Sequence, residues 1–376
     1  MHIDDVSKNI VTLALYLNEN HEGLVSEIWL APELIEELKE ASKRIDVNKT
    51  IKDTRIQITK EKDSVRKQVL SELLTSLKYQ IDFFKDSKAC SLSEFYKQTY
   101  GYELDEVSDS YIAKVLDELK FLENQYSLNR HLVLKRLSVT KDELVEKFKK
   151  YLENTKKSLP EWFTHYCDFN VDTVDTAPWA GFNSHKAPFK STITLNTSSG
   201  LTVMDLKHMA MHEAFGGHHT ELSYKDNLLI NEQKGEHGLV LVYSPMTFIS
   251  EGIAEATFDI LGFNKDLTPE ERINYKHMEL TFVLMNKTAF MFTGRNASIQ
   301  EIRNYLTQFD VGEQAIKNIL DFVTDKVFGK YAPVYHSAKK FIIDHYNKSQ
   351  NKEEFLPYVF KSPCTLAVLN EKFGNL

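Results

Sequence analysis

The sequence predicts a mainly α-helical protein with a small β element. Three observations predict it. Before Gly181 the chain has only two glycines, Gly23 and Gly101, and before Pro178 only two prolines, Pro32 and Pro160. Lys, Glu and Leu are dense between them, and these residues favour helices. Helix-cap signatures recur along the chain, whereas β-branched residues cluster at Thr192-Ile193-Thr194.

The elements follow in order. Ile10 to Leu17 is apolar, with Asp4 and Asp5 before it and Asn18-Glu19-Asn20-His21 after. It lacks the basic lead and small-residue cleavage site of a signal peptide, so it reads as a core helix. Thr54 to Phe84 reads as one long amphipathic helix, because Ile56, Val65, Val69, Leu73 and Leu77 fall near helical spacing. Lys60-Glu61-Lys62-Asp63 would be its solvated face. Thr140-x-x-Glu143 is a capping box that opens a helix to about Lys156. From Ser158 to Gly200 the composition shifts, with Pro160, Pro178, Gly181, Pro188 and Gly200 clustered. That stretch reads as a loop followed by a short strand or hairpin. The strand is either an edge that can pair with an extended substrate or a structural cover over the next helix. Thr202-x-x-Asp205 caps that helix. Thr268-Pro269-Glu270-Glu271 starts another, running to about Phe292. Ser298-x-x-Glu301 opens the next, and Val311 to Val327 gives one more. The shift near residue 158 divides a helical region, 1–158, from a metal-binding catalytic region, 159–376. One interwoven domain fits the same pattern.

A chain of 376 residues can bury a large core. The formal charge of -8 argues against a nucleic-acid partner. No run approaches the roughly 18 apolar residues of a membrane span, so no membrane partner is expected. Cys90, Cys167 and Cys364 are far apart and odd in number. They form neither a disulfide framework nor a thiolate zinc site, which favours the cytoplasm. Nothing in the sequence fixes the oligomeric state.

The most informative stretch is His212-Glu213-Ala214-Phe215-Gly216-Gly217-His218-His219. Imidazole is the commonest protein ligand for zinc. A Glu directly after the first His is placed as a general base. Two histidines four apart on a helix would share one face, but the residue four after His212 is Gly216. His218 is six positions on, and six steps of an ideal helix turn about 600°. His212 and His218 can therefore share an ion only across a broken helix. Gly216-Gly217 is where that break is expected. His219 faces the right way but is about 10.5 Å along the axis, so it stands in reserve. Ser250-Glu251-Gly252-Ile253-Ala254-Glu255-Ala256 follows the apolar run Leu239 to Tyr243 and offers a third ligand, Glu251. Glu255, one turn later, would orient a ligand imidazole through its other nitrogen. His208 shares the face of His212 and offers an alternative pair, which would strand Glu213. His237 either lines the cleft or faces solvent.

These residues resemble a known pattern. His-Glu-Ala-Phe-Gly-Gly-His-His is similar to the His-Glu-x-x-Pro-Gly-His-His signature of a large family of bacterial proteins long labelled as a domain of unknown function. That family resembles the helical zinc peptidases of the gluzincin type. Glu251-x-x-x-Glu255 is also similar to the Glu-x-x-x-Asp element of the angiotensin-converting-enzyme family. There the Glu binds zinc and the Asp supports a ligand His. The resemblance implies a helical zincin-like architecture, Zn²⁺ held by His212, His218 and Glu251, and Glu213 as base. The strand Thr192 to Asn196, ending in Asn, fits it as well. Gly216 replaces the Pro, and Glu221 stands where the family usually has Gln. Pro333-Val334-Tyr335-His336-Ser337-Ala338-Lys339-Lys340 echoes a Pro-x-Gln-x-x-x-Tyr-Lys element without its Gln and Tyr.

The expected chemistry is attack of an activated water on a peptide or amide carbonyl, with Glu213 as proton carrier. Tyr335 and His336, with Tyr331 as another, are candidate donors to the oxyanion. Two other readings compete: a metal-dependent enzyme on a small non-peptide substrate, and a helical interaction protein without catalysis.

Overall fold

The computed structural model describes residues 2–86, 90–186 and 188–374. The first helix, α1 (Asp5–Asn20), is capped by the Asp4 carboxylate, which accepts from the Ser7 amide at 2.8 Å. Strand β1 (Val25–Ile28) and helices α2 (Pro32–Ser42), α3 (Val47–Thr59) and α4 (Ser64–Asp86) follow. The expected single helix from Thr54 to Phe84 is thus two. Its Lys-Glu-Lys-Asp run is largely solvent-exposed, as expected, but lies in the break between the two helices. Asp63 accepts from the amides of Val65 and Arg66, which starts a new helix, and Glu61 accepts from those of Lys62 and Asp63. Acidic side chains that bond nearby amides compete with helix continuation.

Arg66 explains why the break is held. Its guanidinium meets Glu236 at 2.7 Å, Asp4 at 2.7 Å and Glu61 at 2.9 Å, and is itself buried. This ties α1 and α4 to a turn 170 residues away. Removing one partner of a buried pair leaves uncompensated charge, so Arg66→Ala is expected to cost about 3–5 kcal/mol in urea unfolding. The pH sense follows. Burial pushes the Glu236 carboxyl up, but Arg66 outweighs it and holds it below 4.5. That stability is complete above the unfolded value and is lost as pH falls through the folded one. Arg66→Ala should therefore also unfold at higher pH during acid titration; an unchanged acid midpoint would contradict the pairing.

Next come α5 (Leu92–Tyr100), α6 (Asp109–Tyr126), α7 (Arg130–Leu137) and α8 (Lys141–Ser158). At the start of α8 the Thr140 hydroxyl donates to the Glu143 carboxylate at 2.8 Å instead of accepting from an amide, so the expected capping box is only half made. Strands β2 (Asp168–Val174), β3 (Gly181–Lys186) and β4 (Lys190–Asn196) form one sheet in the order β2-β4-β3. β2 runs parallel to β4, and β3 antiparallel to it. The Thr192 to Asn196 segment is therefore the central strand, and β3 takes the edge expected of it. The alternation in β2 (Phe169, Val171) and β4 (Ile193, Leu195) explains this. Those side chains pack on Leu206, Met209 and Phe215 of the motif segment and on Leu144, Phe148 and Leu152 of α8.

The remainder is helical: α9 (Val203–Met209), α10 (His218–Glu232), then the short strand β5 (Leu239–Leu241), α11 (Pro245–Ile260), α12 (Pro269–Ala289), α13 (Ile299–Leu306), α14 (Glu313–Val323), α15 (Val334–Lys348), α16 (Lys352–Lys361) and α17 (Leu366–Phe373). β5 pairs with β1, which brings the N-terminal region against the segment leading into α11. α11 lies tight on α15: a Cβ at Gly252 would be 2.7 Å from the Ala338 carbonyl oxygen. One apolar cluster runs from Ile3 to Leu369, so residues 1–158 and 159–376 share a core. Among the described residues no helix is long and apolar enough to cross a membrane.

Candidate metal centre

The motif helix begins as its cap predicts. Thr202 and Asp205 exchange both bonds of a capping box. α9 then passes into a π-helical turn over Ala210–Phe215, and Ala214 leaves helical geometry altogether (φ -116, ψ -106). Gly216 and Gly217 complete the break, and α10 starts at His218. The orphaned carbonyls are satisfied. Asn183 of β3 donates to the Glu213 carbonyl at 2.7 Å, and the Thr220 hydroxyl to that of Ala214 at 3.2 Å.

The break brings the two rings together. The centroids of His212 and His218 are 4.8 Å apart, with their planes near perpendicular. Glu251 reaches both from α11, Oε1 at 3.3 Å from His212 Nε2 and Oε2 at 3.8 Å from His218 Nε2. Ligand atoms of these three residues all lie within 4.8 Å of one another. Glu213 Oε1 is 3.9 Å from His212 Nε2. Glu255 Oε1 is 3.1 Å from His212 Nδ1, and its other oxygen 3.5 Å from His208 Nε2. His208, His212 and Glu255 thus form a second grouping of the same compactness.

Three carboxylates and three imidazoles share this buried space, and their hydrogen bonding is incomplete. His208 Nε2, His212 Nδ1, Glu213 Oε2, Glu251 Oε1 and Glu255 Oε2 are buried without a hydrogen-bond partner. Several are within ion-pair distance of each other but off the line of a hydrogen bond. Burying charge in this way is costly unless a cation or proton compensates it. The protonation pattern agrees. Burial opposes a charged His212, but Glu251, Glu213 and Glu255 outweigh it and raise the imidazole to about 10. Burial raises Glu251 to about 7 against the pull of His212, and raises Glu213 as well. Burial also pushes Glu255 up, but His208 and His212 outweigh it and hold it at about 2. Burial, then the charge on His212, keep His218 well below the usual imidazole value.

Outer contacts fix the set. Tyr331 donates to Glu251 Oε2 at 2.6 Å. Ser250 stands between His218 Nδ1, at 3.3 Å, and Glu221, which Lys225 pairs. Sequence reasoning missed Ser250 and Asn183, since a lone Ser or Asn carries no signal at that level.

Other expected residues lie elsewhere. His219 is not a neighbour of the cluster: its Nδ1 meets Ser191 Oγ at 2.8 Å and its ring stands edge-on to Phe169. The break that turns His218 inward turns its neighbour toward the sheet. His336 faces Tyr111 of α6, ring centroids 5.6 Å apart, away from the cleft. Tyr335, one residue earlier, lines the cleft. His237 neither lines it nor faces solvent. It is buried beside Glu236, and burial lowers it to about 4.

A cavity of about 550 Å³ opens on the centre. His208, His212, Glu213, Glu255 and Tyr335 contribute to its wall, whereas His218 and Glu251 do not. The opposite walls are α12, α14 and the loop 177–180 ahead of β3.

The sequence matches no family model and no curated protein. Several solved structures match the fold, two of them assigned as lipoproteins. One, assigned as a lipoprotein from Colwellia psychrerythraea, superposes with a TM-score of 0.59 at 14% identity, over 86% of this chain and 66% of that one. The other, from Shewanella oneidensis, is assigned as a lipoprotein of unknown function; the TM-score is 0.51 at 13% identity, over 95% of this chain and 69% of that one. This chain spans about two thirds of the length of each. At these identities the likeness concerns fold alone.

Proposed function

We propose that this chain is a zinc-dependent hydrolase of gluzincin-like build, cleaving peptide or amide bonds. One observation carries the reading: a broken helix delivers His212 and His218 to Glu251, with the Glu213 carboxylate 3.9 Å from His212 Nε2. Two imidazoles and a carboxylate suit zinc in a catalytic site, and an open position would face the cleft. When bound, zinc would polarise a water and the substrate carbonyl.

The rest is the work of the side chains. Glu213 Oε2 has no hydrogen-bond partner, so it can take the proton of an attacking water and return it to the leaving nitrogen. Tyr335 lines the cleft and supplies a hydroxyl to the developing oxyanion. The Tyr331 hydroxyl is already engaged with Glu251, which makes it the weaker candidate. Gly181, at the start of edge strand β3, packs closely on the motif segment: a Cβ there would be 2.7 Å from Met209 Sδ and 3.2 Å from Glu213 Oε1. An extended substrate can enter along that edge.

The second grouping, His208 with His212 and Glu255, gains support from lining the cavity in full. It uses the other nitrogen of His212 and leaves Glu213 without a role. With the ion on the Nε2 side, Glu255 becomes the orienting partner of His212, as ligand histidines commonly require. Metal analysis decides between them. Protein purified without chelator should carry about one zinc per chain. Glu251→Ala and His218→Ala should each lower zinc affinity by more than the roughly 10–100-fold typical of an outer partner. His208→Ala should stay within that range. The reverse ranking would move the ion to the second grouping, and no zinc at all would remove the hydrolase. A digest of a mixed peptide library tests the reaction itself; absence of any cleavage by the zinc-loaded protein would favour a small non-peptide substrate. A cytoplasmic location remains our reading of three free cysteines, against which the lipoprotein assignment of both fold neighbours weighs.

A further inference from the structure

α12 turns one stripe of side chains to the cleft: Asn274, His277, Met278, Thr281, Phe282 and Met285. Steps of three and four put them on a single face. The stripe is polar at its start and apolar at its end. Asn274 is 1% exposed, and its Oδ1 has no hydrogen-bond partner. His277 is engaged with the Val311 carbonyl at 3.1 Å. Farther along, Phe282 stacks flat on Tyr335, ring centroids 5.3 Å apart. Tyr335 stands edge-on to Phe322 at 5.6 Å and to Tyr331 at 5.7 Å, and Tyr331 holds Glu251. An unbroken aromatic run thus leads from the candidate ion ligands to the apolar end of α12. Trp179 faces the same cavity from the other side, two residues before the glycine that packs on Glu213.

Away from the candidate ligands most charges around this cavity already have partners, Lys135 being the exception among the lining residues. Asp205 accepts from Thr202 at 2.7 Å, Lys317 pairs Asp321 at 2.6 Å, Glu313 pairs Arg303 at 2.7 Å, and His131 pairs Asp310 at 2.9 Å. A charged substrate side chain held between Trp179 and Phe282 would lose water against two aromatic faces.

We infer that this cleft is a specificity pocket for short peptides bearing an apolar or aromatic side chain next to the scissile bond, with Asn274 Oδ1 accepting a substrate N–H. The inference rests on the hydrolase reading for the bond cleaved, but not for the binding. A buried acceptor left unpaired rejects ligands that cannot fill it, and an apolar wall discriminates by size and charge.

The test is a set of short peptides identical except for the residues flanking one bond. The zinc-loaded protein should cleave those with Phe, Leu or Met there at least about tenfold faster, in kcat/KM, than those with Asp, Lys or Gly. Phe282→Ala should lower that ratio about tenfold, and Phe282→Leu, which keeps most of the packing, should shift preference toward smaller side chains. Asn274→Leu should weaken binding of all of them. Calorimetry of the uncleaved peptides with Glu213→Gln gives the same ranking without turnover. Equal or better cleavage and binding of charged peptides would overturn the pocket and leave the hydrolase standing. Preferential binding of apolar peptides with no cleavage of any would overturn the hydrolase and leave the pocket. Neither binding nor cleavage would end both.

Discussion

Glu213→Gln is expected to lower kcat for peptide cleavage by about 10²–10⁴-fold, the range for loss of a positioned general base, while the protein keeps its zinc. Glu213 belongs to neither candidate ligand grouping. Its carboxylate is buried, with Oε2 lacking a partner and Oε1 3.9 Å from His212 Nε2. Its backbone is pinned by the bond from Asn183 to its carbonyl. The group is thus held still, close to the ion position, with one oxygen open. Gln keeps the shape but cannot take a proton. Burial raises the Glu213 carboxyl, which suits a group that must both accept and return one. Zinc content and thermal midpoint should stay near those of the parent, since no ligand is removed. A variant that cleaves at the parent rate would show that Glu213 is packing. One that loses zinc along with activity would show that it is a ligand.

Where a local rule governs, the sequence predicts the structure well. Helix starts read at Thr202/Asp205, Thr268/Glu271 and Ser298/Glu301 each form a full capping box, whereas the box read at Thr140/Glu143 is not completed. The glycine pair breaks the motif helix as expected, although the helix already turns π-helical at Ala210 and leaves helical geometry at Ala214. His212, His218 and Glu251 come together because a six-residue spacing, a break and a downstream acid leave few other arrangements.

Most of the larger misses were decided by a partner far along the chain. Thr54 to Phe84 reads as one helix until Arg66 is seen to bind Glu236. β4 reads as an edge until β2 pairs with it, although the alternation of Phe169, Val171 and Thr173 was a usable signal. His219 and His336 are each beside a residue that does face the centre, and a one-residue step on a helix turns a side chain by about 100°. The α12 stripe reads as an ordinary helix face, since only α14 and the loop ahead of β3 make it the wall of a cleft. Tyr331 holds Glu251 from 80 residues away, a link that no periodicity encodes.

Gly217→Ala is the harshest single change the site admits. A Cβ there would lie 1.8 Å from the His212 carbonyl oxygen and 3.0 Å from Ala254 Cβ. No rotamer relieves the first contact, because both atoms belong to backbone or to Cβ. The chain must move, and it moves the residue that carries the shared imidazole. Overpacking of this kind costs about 1–3 kcal/mol when side chains can yield, and more when they cannot. We expect a loss above about 3 kcal/mol in urea unfolding, or a folded variant whose zinc affinity falls at least as far as that of Glu251→Ala. Gly216→Ala is the control. Its Cβ would meet Met211 Cε at 2.7 Å and Thr257 Cγ2 at 3.1 Å. The first is the flexible end of a methionine, which repacks readily. That variant should lose about 1 kcal/mol and keep its zinc. The two positions are adjacent and chemically identical, so helix propensity cannot separate them. If both substitutions prove equally mild, residues 212 and 218 are not held together by the break at Gly217, and their approach needs another cause.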